Sequence, residues 1–228
     1  MKHSGKARSA GFKLIWWTFV ALLLILVGGV LALLVGEFII GIRVGLVTLW
    51  IFFTLFTLYF FRDPDARVPD APNLIVSPGH GKVDVIDELD ETEFMGGKCQ
   101  RVSMFLSVID IHVQNAPVSG KVDYVKHRPG KFMSAMQTEC AADNEAVYIG
   151  FLPSERPGEK LGIRLIAGVL ARRIIPWVEE GEVVARGERI SLIQFGSRVD
   201  IYLPRSAKLK IKLGDRLVGG ETIVAVFE

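Results

Sequence analysis

The chain is poor in the residues that build metal centres and cross-links. Its 228 residues include two cysteines and four histidines. Cys99 and Cys140 lie 41 positions apart, with no CxxC pair and no Cys/His ligand spacing around them. That argues against a structural zinc module and fits free thiols in a reducing compartment. There is also no excess of one charge sign: 27 basic and 25 acidic side chains leave a formal net charge of +2. Without a basic face, nucleic acid is excluded as a partner. Charge is missing altogether from two stretches, Leu14–Gly36 and Val44–Phe61. They carry the excess behind a mean hydropathy of +0.36 and leave the rest of the chain as one ordinary domain.

The uncharged runs are 23 and 18 residues long, enough to cross a hydrocarbon core as helices. Only Glu37–Arg43 separates them, too little for a domain, so a helical hairpin is expected. A cleaved signal peptide would have a shorter apolar region and no second run behind it. Lys2, Lys6, Arg8 and Lys13 precede the first run, whereas the connecting loop has only Arg43 as a base. The positive-inside rule then puts the N-terminus in the cytoplasm. Two crossings, or equally a shallow re-entrant hairpin, bring Arg62 back to the same side. The expected location is the cell (inner) membrane, with the polar domain on its cytoplasmic face. The expected division is a hairpin over 1–61, a Pro- and Asp-rich linker over 62–72 and a β-rich domain over 73–228.

From Asn73 onward the pattern is one of short strands punctuated by glycine and proline. Ser77-Pro78-Gly79-His80-Gly81 makes a tight turn, Val83–Ile86 a strand, and Asp87–Glu93 an acidic loop. Val102–Ile111, Val118–Val122 and Val147–Leu152 read as strands, whereas Leu165–Arg173 fits strand and helix alike. Near the C-terminus, Gly181-Glu182 and Gly187-Glu188 precede Ile190–Ile193, and Gly214-Asp215 and Gly220-Glu221 precede Ile223–Val226. Both glycine pairs repeat at an offset of 33 residues. Together these features predict a mainly β, barrel-like (barrel-sandwich-type) domain with few helices, built from related halves.

One stretch stands apart. In Gln194-Phe195-Gly196-Ser197-Arg198-Val199-Asp200, a Gly-Ser pair interrupts a two-residue apolar alternation running from Ile190 to Leu203. Glycine inside a strand marks a bulge or a close backbone approach. The serine hydroxyl behind it reaches the preceding carbonyl, so a strained backbone would let Ser197 convert the Gly196 amide to an ester.

Several further stretches fall in a fixed order around that pair. They are Phe60-Phe61-Arg62-Asp63-Pro64, Ser77-Pro78-x-x-Gly81-Lys82-Val83, Asp110-Ile111-His112-Val113 and Pro117-Val118-Ser119-Gly120-Lys121-Val122. Asn144-Glu145, Ile166-Ala167-Gly168, Ala171-Arg172-Arg173-Ile174 and Phe195-Gly196-Ser197-Arg198-Val199-Asp200 follow. This ordered set resembles the short form of the phosphatidylserine decarboxylase proenzyme, a pyruvoyl-dependent family, from Phe60 to the C-terminus. The resemblance implies self-cleavage between Gly196 and Ser197 into a β chain, 1–196, and an α chain, 197–228, held together as a heterodimer that can assemble further. It implies a covalent pyruvoyl cofactor derived from Ser197, which forms a Schiff base with the amine of phosphatidylserine and yields phosphatidylethanolamine and CO2. No metal is required.

The family's bases are an aspartate in a Pro-Ala-Asp-Gly-like turn and histidines after an aspartate. Here His80 stands at the turn's aspartate position and His112 at the first histidine, with Asn115 in place of the second. His112 is the expected base and His80 the second candidate, because a group titrating near neutrality handles such protons best. Asp110 either orients His112 or faces solvent. Arg172 and Arg173 are candidate phosphate ligands or a solvated strand edge, and Asn144 is a candidate pocket residue. Two other readings compete: an archaetidylserine decarboxylase with the same headgroup chemistry, and a non-catalytic, membrane-tethered adaptor with a lipoyl-like barrel. The second needs an acceptor lysine at a hairpin tip, whereas Lys208, Lys210 and Lys212 alternate along a strand.

Overall fold

The computed structural model describes residues 5–31, 38–134, 143–169, 173–194 and 196–228. These form two compact units, Gly5–Asp63 and Pro64–Glu228. The first holds α1 (Lys6–Leu31) and α2 (Phe38–Phe60), which pack on each other. Trp50 Nε1 donates to Thr18 Oγ1 at 3.2 Å, and the Trp50 and Phe19 rings lie 5.5 Å apart. Both helices are long and apolar enough to cross a membrane, and their leucine, isoleucine and tryptophan side chains are largely exposed. A face of that kind is stable against lipid rather than water.

Among the described residues, the named elements of the second unit are strands: β1 (Leu74–Val76), β2 (Gly81–Glu91), β3 (Gly97–Leu106), β4 (Val113–Asn115), β5 (Gly120–Arg128), β6 (Ala146–Pro153), β7 (Leu161–Ala167), β8 (Ile174–Pro176), β9 (Val183–Val184), β10 (Arg189–Ile193), β11 (Ser197–Leu203), β12 (Ala207–Leu209), β13 (Arg216–Leu217) and β14 (Ile223–Phe227). The Leu165–Arg173 region resolves in favour of strand as far as Ala167, because its β-branched residues bury against β6 and β11. The acidic stretch from Asp87 is not a loop: β2 runs through it to Glu91, in register with β3. Its acids meet Arg101, whose guanidinium is bidentate to Asp87. Pro64–Pro72 is extended and strapped down. Arg186 donates to the Pro69 and Ala71 carbonyls, and Arg189 to Pro64 and Asp65.

The strand order reveals the internal repeat. An eight-stranded antiparallel sheet, curled as a half-barrel, runs β13-β2-β3-β11-β7-β6-β5-β9, and two three-stranded sheets run β1-β14-β12 and β4-β10-β8. Reading inward from each edge of the large sheet, β13, β2, β3 and β11 correspond to β9, β5, β6 and β7. In the small sheets β1, β14 and β12 correspond to β4, β10 and β8. One half is therefore β4–β10 in unbroken sequence. The other is β1–β3 completed by β11–β14, with the first half inserted between. Details repeat as well: register shifts fall between Val83 and Val85 and between Val122 and Tyr124. Gly181 and Gly187 have φ of 94° and 77°, and Gly214 and Gly220 have 89° and 74°. All three sheets bury their apolar parity in one core that includes Ile75, Met104, Phe151, Leu165, Ile201 and Val224.

A second cluster, Phe94, Cys99, Tyr148 and Tyr202, lies outside that core. Burial, with Glu91 nearby, pushes the Cys99 thiol up to about 11, which makes it a packing residue rather than a nucleophile. Cys140 lies outside the described residues. The tyrosines cover a pair of glycines that face each other across β6 and β7, Gly150 and Gly162. A Cβ at 162 would collide with the Tyr148 hydroxyl, and one at 150 with the Phe94 ring. Gly162→Ala is expected to destabilise the domain by about 1–3 kcal/mol through overpacking. A Tyr148→Phe background, lacking the colliding oxygen, should recover part of the loss in thermal melts. Equal stability of Gly162→Ala and wild type would refute the packing account.

Candidate active site

β11 is one of the two central strands of the large sheet, paired along its length with β3 on one side and with β7 on the other. Val199, Ile201 and Leu203 enter the core. Ser197 shares their parity and is wholly buried. Its hydroxyl has no hydrogen-bond partner among the described residues. A buried, unpaired hydroxyl costs about 1–3 kcal/mol and calls for an explanation.

The residue before it is held by both of its polar groups. Gly196 has φ of 72°, a left-handed conformation costly for any residue with a Cβ. A Cβ there would approach nothing closer than Val108 Cγ1 at 3.6 Å, so conformation rather than space demands glycine. The Gly196 amide donates to His112 Nε2 at 3.1 Å. Its carbonyl oxygen accepts from the Gly168 amide at 3.2 Å. That second bond continues the β7–β11 ladder one rung beyond Ser197↔Ala167.

His112 is completely buried, just ahead of β4. Its Nδ1 lies 2.9 Å from the Asp110 carbonyl, which can only accept, so Nδ1 carries the proton. Nε2 then presents its lone pair to the Gly196 amide, and the ring is the neutral tautomer. The His112 carbonyl takes the Ile193 amide at 3.0 Å and the Gln114 side-chain amide at 2.7 Å. Asp110 thus orients His112 through its backbone. Its carboxylate caps the Ser107 amide and meets Arg216.

The opposite parity of β11 carries a buried polar network. Arg198, 1% exposed, is bidentate to Asp84 at 2.7 and 2.6 Å, and its Nη1 also reaches Ser103 Oγ at 2.8 Å. Asp84 sits at the β2 register shift, which interrupts its strand's ladder pairing. Ser103 in turn donates to Asp200, whose carboxyl is pushed up by burial against the Ser103 hydrogen bond and the charges of Arg101 and Arg198. The residue following Ser197 is thereby fastened to β2 and β3.

Of the residues expected from sequence, Gly196, Ser197 and His112 are brought together. His80 lies in the turn before β2, where its Nε2 and Asn115 Oδ1 crowd the space beside Gly219. Arg172 and Phe195 lie outside the described residues. Arg173 is exposed, and its carbonyl accepts the Gln194 amide at 3.2 Å, just upstream of the Gly-Ser pair. Asn144 is wholly buried, with its side-chain amide engaged by backbone groups at Met133 and Ala167. The Gly168 donor and the Arg198–Asp84 pair were not anticipated. Val108, beside Gly196, and Ile109, Phe132 and Val169 are exposed apolar side chains.

Comparison with known proteins agrees with this geometry. A family model described as phosphatidylserine decarboxylase matches residues 53–225. Among curated relatives, a phosphatidylserine decarboxylase proenzyme of Desulfotalea psychrophila is 43% identical over 171 residues, 75% of this chain and 79% of the relative. One from Symbiobacterium thermophilum is 38% identical over 208 residues, covering 91% and 92%. A third, from Syntrophus aciditrophicus, is 40% identical over 174 residues, covering 76% and 81%.

The Arg198–Asp84 pair generates a prediction independent of chemistry. Asp84→Asn leaves a buried guanidinium without its counter-charge and is expected to cost on the order of 3 kcal/mol. Replacing both partners by apolar residues, Asp84→Leu with Arg198→Met, should cost less than the single change. A thermal melt in which the double variant is the less stable would contradict this.

Proposed function

The chain belongs to the phosphatidylserine decarboxylase family, and on that premise we propose that it is a self-cleaving enzyme that decarboxylates phosphatidylserine to phosphatidylethanolamine. The observation that carries the proposal is the buried Ser197 hydroxyl, without a partner among the described residues, beside a Gly196 carbonyl held by the Gly168 amide. Ser197 Oγ reaches its own preceding carbonyl carbon through a five-membered ring. As the C–O bond forms and the C–N bond breaks, negative charge develops on the Gly196 oxygen, where the Gly168 N–H lies. His112, neutral and with Nε2 on the Gly196 side, is the proposed acceptor of the Ser197 hydroxyl proton, which it passes to the departing Ser197 nitrogen. His80 is the second candidate.

Loss of the Ser197 α-proton then breaks the Cβ–O bond and frees Gly196 as a carboxyl terminus. The dehydroalanine left at 197 takes up one water, releases ammonia and becomes a pyruvoyl group heading the α chain, 197–228. Position 197 fits that group: it is buried, shares the core parity and has a hydroxyl engaged by nothing else among the described residues. The pyruvoyl carbonyl supplies the electron sink for departure of CO2 from an amine-linked serine headgroup. Exposed Arg173 suits the lipid phosphate, having no ion-pair partner among the described residues. Val108, Ile109, Phe132 and Val169 suit the acyl region, and the apolar helices suit residence at a membrane. The two chains stay together through the pairing of β11 with β3 and β7 and of β14 with β1.

The test is expression of wild type beside Ser197→Ala. Wild type should yield two chains, with a blocked terminus at 197 by mass spectrometry, and should release CO2 from phosphatidylserine. Ser197→Ala should stay one inactive chain. Cleavage of that variant, or decarboxylation by an uncut wild-type chain, would overturn the proposal. His112→Ala should slow cleavage about 10²–10⁴-fold, read as the fraction of uncut chain over time. A normal rate would assign the proton to another base.

A further inference from the structure

Asn144 is a buried side chain that the proposed chemistry does not use. It stands two residues before β6 begins at Ala146, where the ladder partner for the end of β7 runs out. Glu145, the residue just before β6, still supplies its carbonyl to the Ala167 amide at 2.9 Å. The Ala167 carbonyl is met instead by Asn144 Nδ2 at 2.7 Å. The same Nδ2 donates to the Met133 carbonyl at 2.9 Å, and Oδ1 accepts the Met133 amide at 2.8 Å. A three-fold grip on backbone fixes the Asn144 rotamer, and the residue is 0% exposed.

The Ala167 carbonyl and the Gly168 N–H belong to one planar peptide group. On one edge that plane accepts from Asn144, and on the other it donates to the Gly196 carbonyl oxygen at 3.2 Å. Hydrogen bonds in series polarise each other: a donor on the carbonyl makes the N–H of the same amide a stronger donor. We propose that Asn144 is a positioning residue for self-cleavage, holding and polarising the Ala167–Gly168 peptide so that the Gly168 N–H stabilises the oxyanion formed at Gly196. The inference rests on the self-cleavage reading above. Asn144 touches no reacting atom and acts through a neighbouring amide. Its loss therefore slows cleavage less than removal of a direct donor, for which about 10²–10³-fold is usual. About 10- to 100-fold is expected.

The experiment follows cleavage of freshly made full-length chain by gel, with Ser197→Ala alongside. Asn144→Ala should fold but cleave about 10- to 100-fold more slowly. Asn144→Asp discriminates a positioning role from simple packing. It keeps the Met133 contacts' acceptor, but when ionised it faces the Ala167 carbonyl with an acceptor instead of a donor. When protonated it donates again. Its cleavage should therefore be slow at alkaline pH and recover as pH falls, a limb absent from the wild-type profile, while melts in the Ser197→Ala background show a folded chain throughout. Wild-type rates in folded Asn144→Ala, or a flat Asn144→Asp profile relative to wild type, would overturn the inference and leave the self-cleavage reading standing. Cleavage of Ser197→Ala itself would sink that reading instead. If neither Asn144 variant folds, hydrogen exchange of Gly168 in uncut Ser197→Ala decides. A protected Gly168 amide supports the bond to Gly196, and fast exchange refutes it.

Discussion

Everything at the candidate site depends on β11 being gripped from both sides. Ser197 to Leu203 pair with β3, and Ser197 to Tyr202 with β7. Val199, Ile201 and Leu203 are wholly buried in the core. A strand held in that way cannot slide, since a one-residue shift would put Arg198 and Asp200 into the apolar core. The Gly-Ser peptide sits where this fixed strand meets a left-handed glycine. Its carbonyl is aligned by the same ladder that aligns the strand. The Arg198–Asp84 pair fastens the next residue, so the bond of interest is anchored immediately downstream as well as at Gly196.

The repeat bears on how the domain would hold together after the cleavage proposed at Gly196–Ser197. The chain builds three strands of one half, then the whole of the other, then returns to finish the first with β11–β14. The Gly196–Ser197 bond lies at that return. A break there would divide the chain at a junction between repeats, at the N-terminal end of β11, where the ladder continues by one rung through Gly196. The segment after it contributes a central strand of the large sheet and the centre of a small one, through β11 and β14. Its attachment rests on ladder bonds and core burial, which do not require continuity of the chain. In the uninterrupted half, β7 occupies the position equivalent to β11. The two strands meet at the middle of the large sheet, so the site lies where the halves join.

Much of this was legible in the residues themselves. Alternation around Ile190–Leu203 marked the strand, the 33-residue glycine offset marked the repeat, and the uncharged runs marked both helices. Where reading by pattern fell short, the missing information was tertiary. Asp87–Glu91 looks like a loop because acids are poor strand formers, yet cross-strand pairing with Arg101 holds them in β2. The stretch from Leu165 was ambiguous until β6 and β11 supplied its two neighbours. Asn144 is a candidate pocket residue because Asn144-Glu145 belongs to the ordered set of family-like stretches. Its hold on the Ala167 carbonyl, 23 residues away, is announced by no local pattern. The Gly168 amide has no side-chain signature at all.

The energetics of the site also account for its arrangement of polar groups. Almost every buried polar side chain around it is matched: Gln114 with Ser191 and the His112 carbonyl, Asn144 with two backbone segments, Arg198 with Asp84 and Ser103. Against that background a Ser197 hydroxyl unmatched among the described residues and a left-handed Gly196 are local costs carried by a well-packed core. Neither could be relieved by a small adjustment, because the flanking groups are fixed: His112 by Asp110, the Gly168 peptide by Asn144, and Arg198 by its bidentate partner. The Ser197 hydroxyl, without a partner among the described residues, adjoins a carbonyl whose oxygen already has a donor, and this is the pair to which the proposed attack is assigned. The reactivity assigned to Ser197 thus follows from how completely its neighbours are satisfied, rather than from any unusual property of serine.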